Sequence, residues 1–249
     1  MISKTHLNKI IGILGVEVHG KGYLQSLAKG EFKKDCFQIQ QELIKRKNPL
    51  IFDIGANRGN ITAKYMETFP SATILAFEPF PDSFQILRNR FSTNKKVFCF
   101  QKAVASTAGP KEFYVNKSID TNSLLRPQKT GLTSDEQVYN MSTITVDTII
   151  LDDFCKAENI RHIDILKMDI QGGEFDALKG LKNLLSKREI NLIYSEVYFV
   201  EQYERQPLFH DISKLLFQYG YQLQDIYNPI YGKGSIAWAD VIFVKIHNL

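Results

Sequence analysis

The ten residues 51–60, IFDIGANRGN, bring an acidic residue and two glycines close together in a way that suits the binding of a small molecule. An apolar run leads directly into Asp53, and the polar stretch that carries Gly55 and Gly59 opens a helical pattern. A strand, a tight glycine loop and a helix start in this order are typical of nucleotide-binding folds, because glycines let backbone amides approach the ligand. This loop is the first candidate site of chemistry in the chain.

The residues of this loop argue against two common phosphate-binding loops. A P-loop would need a lysine and a serine or threonine after its second glycine, and no such lysine follows Gly59. A dinucleotide-binding loop would need a glycine in place of Asn57, so that the backbone could approach a pyrophosphate. The carboxylate of Asp53 would repel a pyrophosphate, whereas it would attract an ammonium or sulfonium group.

A second acid, Glu78, ends the next apolar run and is followed by Pro79. An acid at this distance from a glycine loop is placed to accept hydrogen bonds from the two hydroxyls of a ribose. A glycine turn alone, or a Glu-Pro strand end alone, would be weak evidence of a site. Taken together with Asp53, they predict an adenosine ligand that carries a cationic tail, namely S-adenosylmethionine.

Short apolar runs alternate with longer amphipathic stretches along the chain, and this alternation predicts an α/β fold with a parallel sheet covered on both faces. The turn-rich stretch NPIYGKG at 228–234 joins the final two runs without an intervening helix, so we expect the last strand to run antiparallel. Strands are predicted at 50–54, 73–77, 97–101, 163–168, 190–197, 221–226 and 236–245, and helices at 60–68, 82–91, 174–186 and 208–219.

A long insertion, about 106–148, separates the third and fourth of these strands, and its middle part, 116–142, is polar and turn-rich. The flanking stretches KEFYV and STITVDTI are suited to pair as a small hairpin. Loops of this length are uncommon in compact domains unless they act as lids or are disordered. A lid over the substrate and a merely mobile insertion both remain open.

The composition predicts a globular chain in a reducing compartment. The content of 44% apolar and 23% charged residues is enough for one large domain, which we assign to 49–249. Three widely spaced cysteines show neither a disulfide nor a metal-ligand pattern, and the apolar run 10–16 is too short to span a membrane. We therefore expect a cytoplasmic protein.

The positive charge is concentrated in residues 1–48, which we expect to form a helical preface. This segment holds nine Lys or Arg against four Asp or Glu, while the whole chain has a net charge of +4. Such a segment could contact an anionic membrane surface, an acidic substrate or nucleic acid, although a solvated helical face is the commoner explanation.

Six motifs, taken in order, resemble the FkbM family of S-adenosylmethionine-dependent methyltransferases, and the resemblance covers about residues 50–245. It implies a class I methyltransferase-like (Rossmann-like) seven-stranded sheet with an antiparallel last strand. It also implies methyl transfer to a hydroxyl of a sugar, glycan or natural-product acceptor. Gln171 and Gly173 depart from the family, which usually has Glu and commonly has Ala there. The motifs are FDIGANRGN at 52–60, AFEPFPDSFQILRNR at 76–90, AVASTAG at 103–109, VDTIILDDF at 146–154, DILKMDIQGGEFDALKG at 164–180 and YSEVYF at 194–199.

The matched motifs and the carboxyl ends of the predicted strands give the candidate site, since ligands of open parallel sheets bind beyond those ends. Expected cofactor-binding residues are Asp53, Gly55, Ala56, Asn57, Gly59, Asn60, Glu78, Pro79, Ala103 and Asp169. Candidate catalytic residues are Asp169, Glu196 and Glu174, with Gln171 and Tyr198 beside them.

Each catalytic candidate has an alternative role. Asp169 and Glu196 could form a base and its partner, or two ligands of a divalent cation such as Mg²⁺ that acidifies the hydroxyl. Glu174 could simply complement the dipole of the next helix, and this role is slightly favoured. His210 is better explained as a surface histidine than as a base, and His162 lies at the wrong end of the sheet.

Two other functions are alternatives to hydroxyl methylation. NPIY at 228–231 resembles the NPPY motif that holds a flipped base in amino-methyltransferases, but it lies before the last strand and is interpreted as a turn. Nucleic acid is therefore not the expected acceptor. A non-catalytic adenosine-binding module remains the other alternative. Tyr198, Phe199 and Tyr203 suit sugar stacking or a packed core edge equally, so the acceptor and the oligomeric state stay open.

Overall fold

A computed structural model of the chain describes residues 34–128, 140–232 and 234–246. The chain divides into two compact units, Met1–Asp35 and Cys36–Leu249. The predicted helical preface therefore lies mostly outside the described residues. The end of the preface is described. Its helix α1 (Cys36–Leu43) belongs to the second unit, where Gln40 accepts a 2.9 Å hydrogen bond from the hydroxyl of Tyr65. Helix α1 therefore packs into the core of the second unit.

The second unit is built on a seven-stranded sheet with the order β3-β2-β1-β7-β8-β10-β9. Neighbouring strands from β3 to β8 are parallel, and β10 runs antiparallel to both β8 and β9. The predicted fold class and the reversed last strand are confirmed. The strands are β1 (Leu50–Ile54), β2 (Thr73–Phe77), β3 (Val97–Phe100), β7 (Ile163–Met168), β8 (Ile190–Tyr198), β9 (Tyr221–Gly232) and β10 (Ser235–Lys245).

Both faces of this sheet are buried, which explains why its central strands are mostly apolar, with a few buried charged residues among them. In β1, Phe52 and Ile54 pack into one core cluster while Ile51 packs into another. All six residues of β7 are buried. The buried acid Asp53 shares the face of Ile51, since side chains alternate along a strand.

Helices cover the sheet on both sides, and most of them lie where the sequence predicts. The stretch predicted as one helix at 174–186 is two, because the chain bends at Gly180, where a Cβ atom would lie 2.7 Å from the carbonyl oxygen of Ala105. The helices are α2 (Asn60–Thr68), α3 (Pro81–Arg90), α4 (Leu151–Ala157), α5 (Glu174–Lys179), α6 (Lys182–Ser186) and α7 (Phe209–Gln218). Helix α4 was not predicted.

The insertion contributes a second, three-stranded sheet with the order β4-β6-β5. Strands β5 (Gly109–Asn116) and β6 (Asn140–Ile149) pair antiparallel, as the flanking stretches predicted, and β4 (Ala103–Val104) is added at the edge. Residues 129–139 of the predicted lid lie outside the described residues. The preceding part contains a short 3₁₀ helix, Ile119–Thr121.

The stretch NPIY is not a turn. Strand β9 continues through it to Gly232, and irregular pairing with β10 accommodates Asn228, whose φ of 48° is left-handed. In the described part of the chain, no helix is long and apolar enough to cross a membrane.

Candidate active site

The loop after β1 is shaped by two glycines with different tasks. Gly55 has a φ of +76°, and a Cβ atom on it would lie 1.9 Å from the backbone oxygen of Asp169. Only glycine permits this close approach of the loops that follow β1 and β7. Gly59, with a φ of +82°, begins α2, and a Cβ there would contact Leu87 and Phe91. Gly55 therefore shapes the site, whereas Gly59 permits close packing of α2.

Glu78, at the end of β2, is held by the same loop. One of its carboxylate oxygens accepts a 2.8 Å hydrogen bond from the backbone N–H of Asn57, and the other accepts one of 2.8 Å from that of Phe80. Glu78 is buried, and burial raises its pKa to about 7 despite these hydrogen bonds. The acid is fixed in place but can change its charge near neutral pH.

A cavity of about 360 Å³ opens beyond the carboxyl ends of β1, β2 and β7. Eight of the ten predicted cofactor-binding residues line it, whereas Asp53 and Gly59 do not. The eight are Gly55, Ala56, Asn57, Asn60, Glu78, Pro79, Ala103 and Asp169. The other wall comes from the insertion, which contributes Phe113, Ile119, Asp120, Asn122 and Leu124.

Asp53 is instead neutralised from inside the protein. It is fully buried, lies 2.9 Å from the ammonium of Lys167 and accepts a 2.6 Å hydrogen bond from the hydroxyl of Thr62. The ammonium of Lys167 also donates to the carbonyl oxygen of Gly55 at 2.8 Å. Burial opposes the charge of Lys167, but attraction by Asp53 and Asp169 outweighs it and raises the pKa. Asp53 thus supports the glycine loop through Lys167.

Lys167 was not among the predicted site residues, although the sequence contains one signal for it. A lysine inside the apolar run of β7 cannot stay charged in a core unless a buried acid is near it. The adjacent strand β1 supplies that acid, since Asp53 and Lys167 are register partners.

Two of the predicted catalytic carboxylates are brought together at the ends of β7 and β8. The side-chain amide of Gln171 donates to Asp169 Oδ1 at 3.0 Å and to Glu196 Oε2 at 2.8 Å. The hydroxyl of Tyr198 lies 2.6 Å from the same oxygen of Glu196. Glu196 is densely surrounded by protein, and this desolvation together with the charge of Asp169 raises its pKa well above the usual range.

Comparisons with known proteins show the family of the chain. Residues 53–223 match the sequence profile of the Methyltransferase FkbM domain. The 2-O-methyltransferase NoeI of Sinorhizobium fredii is 30% identical over 180 residues, which cover 70% of this chain and 73% of that protein. The chain belongs to the FkbM methyltransferase family.

Two further similarities are more distant. The hexuronic acid methyltransferase AglP of Haloferax volcanii is 24% identical over 153 residues, covering 61% of this chain and 57% of that protein. A Streptococcus mutans protein solved in complex with SAH aligns with 86% of this chain and 100% of its own at 10% identity, with a TM-score of 0.49.

The cavity of this FkbM methyltransferase fits its cofactor, S-adenosylmethionine. Glu78 offers a carboxylate for a pair of ribose hydroxyls, and it lines the cavity together with Asn57. The side-chain oxygen Oδ1 of Asn57 is buried and has no partner among the described residues, so it can accept a hydrogen bond from a ligand. Glu78 and Asn57 would therefore hold the cofactor.

The third catalytic candidate, Glu174, is placed differently. It is 1% exposed, does not line the cavity, and accepts a 2.9 Å hydrogen bond from the backbone N–H of Ile170. Burial raises its pKa to about 7. Its position in the first turn of α5 suits the alternative role, a complement to the helix dipole. Its hydrogen bond with Ile170 also orders the loop that carries Asp169.

The two histidines also lie away from the cavity. His210 is 75% exposed on α7. His162 lies at the amino end of β7, 3.1 Å from Asp164. Neither lines the cavity.

The aromatic residues expected near the mouth form a packed edge. Tyr198 and Tyr203 are both buried and meet edge to face with ring centroids 6.3 Å apart. Phe199 packs against Phe209 at 5.0 Å. Of the two explanations weighed for these rings, the structure favours the packed core edge over sugar stacking.

The metal alternative remains a prediction. Among the residues that the structure describes, no group of three or more His, Cys, Asp and Glu is arranged to hold a metal ion. The facing oxygens of Asp169 and Glu196 both accept hydrogen bonds from the amide of Gln171. A cation between these two residues would have to displace that amide.

Proposed function

We propose that this FkbM methyltransferase methylates a hydroxyl group of a sugar, glycan or natural-product acceptor, with Asp169 as the general base. The observation that carries the proposal is the position of Asp169, which lines the cavity with one carboxylate oxygen held by Gln171. Among the described contacts, its other oxygen, Oδ2, has no hydrogen-bond partner. That oxygen is free to accept the proton of a hydroxyl.

The size of the cavity indicates that the cofactor and the acceptor bind in different places. Ligand pockets usually enclose about 300–1,000 Å³, and this cavity of about 360 Å³ is at the small end of that range. When bound, S-adenosylmethionine supplies an electrophilic methyl group on a positively charged sulfur. A cavity filled by the cofactor leaves the acceptor to approach from the end where Asp169 lies.

A base is needed because an aliphatic hydroxyl is a poor nucleophile at neutral pH. Asp169 would orient the hydroxyl and take its proton as the carbon–oxygen bond forms and the methyl carbon–sulfur bond breaks, with the thioether S-adenosylhomocysteine as the leaving group. Such help typically accelerates a step by about 10²–10⁴-fold. Glu196 would remain behind Asp169, since it does not line the cavity.

The class of acceptor is inferred from the relatives. NoeI is named as a 2-O-methyltransferase and AglP as a hexuronic acid methyltransferase. We therefore favour a glycan or glycoside acceptor over other polyols.

The insertion is proposed to act as a lid over the acceptor side. Asp120 accepts a 2.7 Å hydrogen bond from the side chain of Asn57, and Ser123 donates to the backbone oxygen of Gln171 at 2.8 Å. These contacts join the insertion to the cofactor loop and to the catalytic loop, as expected of an element that closes a site.

Transfer of a labelled methyl group to a panel of acceptors tests the proposal. The panel contains methyl glycosides of neutral hexoses and of hexuronic acids, nucleoside diphosphate sugars, the 2-deoxy form of each active sugar, and RNA and DNA oligonucleotides. We expect label in a glycoside and none in its 2-deoxy form. Labelling of oligonucleotides alone would favour nucleic-acid methylation. Cofactor binding without any transfer would favour the non-catalytic module.

A further inference from the structure

Gln171 is the junction of the polar network at the active site. Its amide nitrogen donates to Asp169 and Glu196, while its amide oxygen lies 3.0 Å from the hydroxyl of Tyr198 and 2.9 Å from that of Tyr203. The donors and acceptors around it fix which end of the amide is nitrogen, because carboxylates can only accept and phenols can donate. Each of the four hydrogen-bonding positions of the amide therefore has a partner within reach.

The backbone at Gln171 is held in an unusual conformation. Its φ is +55°, in the left-handed region that residues other than glycine rarely adopt, and Gly172 beside it has a φ of +92°. Such a conformation persists only when the surroundings enforce it, and it is concentrated at functional sites. Here the side-chain bonds and the bond from Ser123 to the backbone oxygen enforce it.

The amide separates two acids that would otherwise repel each other. Asp169 lines the cavity, whereas Glu196 lies behind it and does not. The two N–H groups of Gln171 donate to these two carboxylates. Asp169 Oδ1 is therefore held by a hydrogen bond, and Oδ2 can interact with a ligand. The orientation of the proposed base thus depends on Gln171.

The amide oxygen lets the network accept either charge state of Glu196. The hydroxyl of Tyr198 has one hydrogen, which it can donate to Glu196 at 2.6 Å or to Gln171 at 3.0 Å. When Glu196 is charged, the Tyr198 hydroxyl donates to it. When Glu196 is protonated, Glu196 donates its hydrogen to the oxygen of Tyr198, and the Tyr198 hydroxyl donates to Gln171 instead. Tyr203 has the same choice between Gln171 and the backbone oxygen of Thr121.

We propose that Gln171 is a positioning residue, which aims Asp169 at the acceptor and holds Glu196 behind it, while joining both acids to the insertion. This inference rests on the proposed function, since it assumes that Asp169 is the base. A glutamate at this position would remove both N–H donors and place a third carboxylate between Asp169 and Glu196. The other ionisable groups that face this cluster are Glu174, Tyr198, Tyr203, Asp240 and Lys167.

Two variants distinguish positioning from a merely structural role. Asn tolerates the left-handed conformation better than most residues but is too short to bridge both acids. We expect Gln171→Asn to remain folded and to keep its affinity for S-adenosylhomocysteine, while kcat falls about 10- to 100-fold. We expect Gln171→Glu to move the acidic limb of the kcat profile upward by about one pH unit, because a third carboxylate raises the pKa of its neighbours.

The control is Gln85→Glu, the same chemical change on the exposed surface of α3. Among the described contacts, Gln85 bonds only to Asn89. It should leave kcat and the pH profile unchanged. The melting temperature of the ligand-free protein is a second measurement, and it needs no acceptor. The deficit of Gln171→Glu relative to wild type should grow from about pH 5 to pH 8 as the added carboxyl is forced to ionise in the folded state.

Asp169→Asn, measured in parallel, separates failure of this inference from failure of the proposed function. Wild-type kcat, pH profile and melting behaviour in both Gln171 variants, with Asp169→Asn inactive, would overturn the positioning role alone. Full turnover by Asp169→Asn would overturn the proposed base and with it the inference. If Gln171→Asn fails to fold, the pH profile and melting behaviour of Gln171→Glu decide.

Discussion

At the scale of single residues, Glu78 is a cavity-lining acid whose charge can change near neutral pH. Burial raises its pKa to about 7, while its oxygens are held by the backbone N–H groups of Asn57 and Phe80. A ribose offers two hydroxyl donors, and these bind an ionised carboxylate more strongly than a neutral one. Cofactor affinity should therefore depend on the ionisation of this one acid.

The first prediction is that adenosine, which has no group titrating in this range, binds more tightly as pH rises through the pKa of Glu78. If only the ionised form binds, the dissociation constant falls about tenfold between about pH 6 and pH 8. Calorimetry at several pH values measures the dissociation constant of adenosine. Glu78→Gln should bind more weakly and show no such dependence. A flat curve for the wild-type protein would contradict this role.

The residue types of the site could largely be predicted from the sequence, but their partners could not. Asp53 was assigned to a cationic ligand because a carboxylate in the glycine loop would repel a pyrophosphate and attract an ammonium or sulfonium group. The structure pairs it with Lys167, which is far away in sequence and lies beside it only in the folded sheet. Gln171 was noticed as a departure from the family, yet its four contacts come from β8, the following loop and its own loop. Such contacts depend on tertiary structure and leave no local signal.

At the scale of elements, the central strands were predictable because burial on both faces makes them mostly apolar. The misses have physical reasons. Strand β4 has only two residues and therefore no periodicity. NPIY carries turn residues, but it pairs with β10 and so becomes part of a strand.

The second prediction concerns the approach of two loops at Gly55. Gly55→Ala would place a Cβ atom 1.9 Å from the backbone oxygen of Asp169. Gly234 is a matched control, because its φ of +83° is similar and nothing lies within 4 Å of its Cβ position. Gly234→Ala should cost only the left-handed strain of about 1–2 kcal/mol. Gly55→Ala should cost at least about 2 kcal/mol more in urea unfolding and lose cofactor affinity. Equal costs would contradict the close approach.

The third prediction concerns the contact between the insertion and the cofactor loop. Asp120→Ala removes the acceptor of the 2.7 Å bond from Asn57. If the insertion closes over the cofactor, dissociation of S-adenosylhomocysteine should accelerate by about two- to tenfold, which corresponds to the loss of one hydrogen bond, while association changes little. Stopped-flow displacement measures both rates. Unchanged dissociation would argue against a lid.

At the scale of the whole molecule, the protein buries several carboxyl groups whose pKa values are raised. Burial raises those of Glu78 and Glu174 to about 7, and raises that of Glu196 as well. Between the usual carboxyl pKa and the raised one, the folded state binds more protons than the unfolded state. Stability contributed by these groups therefore falls as pH rises through that range.

The fourth prediction uses Glu174 to measure this effect. Its folded pKa of about 7, against the ordinary value of 4.5, corresponds to a stability loss of up to about 3 kcal/mol as pH rises from about 4.5 to above 7. Glu174→Gln should lose less stability over that range than the wild-type protein in denaturant unfolding. Glu67→Gln, a change at a 71% exposed side chain, is the control. Parallel curves for Glu174→Gln and wild type would show that Glu174 is not forced to ionise on burial.

The central claim is that Asp169 removes the proton of an acceptor hydroxyl beside the bound cofactor. The most direct measurement is the single-turnover rate of methyl transfer by Asp169→Asn, which keeps the size of the side chain but removes its basicity. We predict a loss of about 10²-fold or more, with S-adenosylmethionine affinity nearly unchanged and no rescue by Mg²⁺ or Mn²⁺ after chelation. A nearly full rate, or a wild-type rate that chelator abolishes and Mg²⁺ restores, would contradict the account.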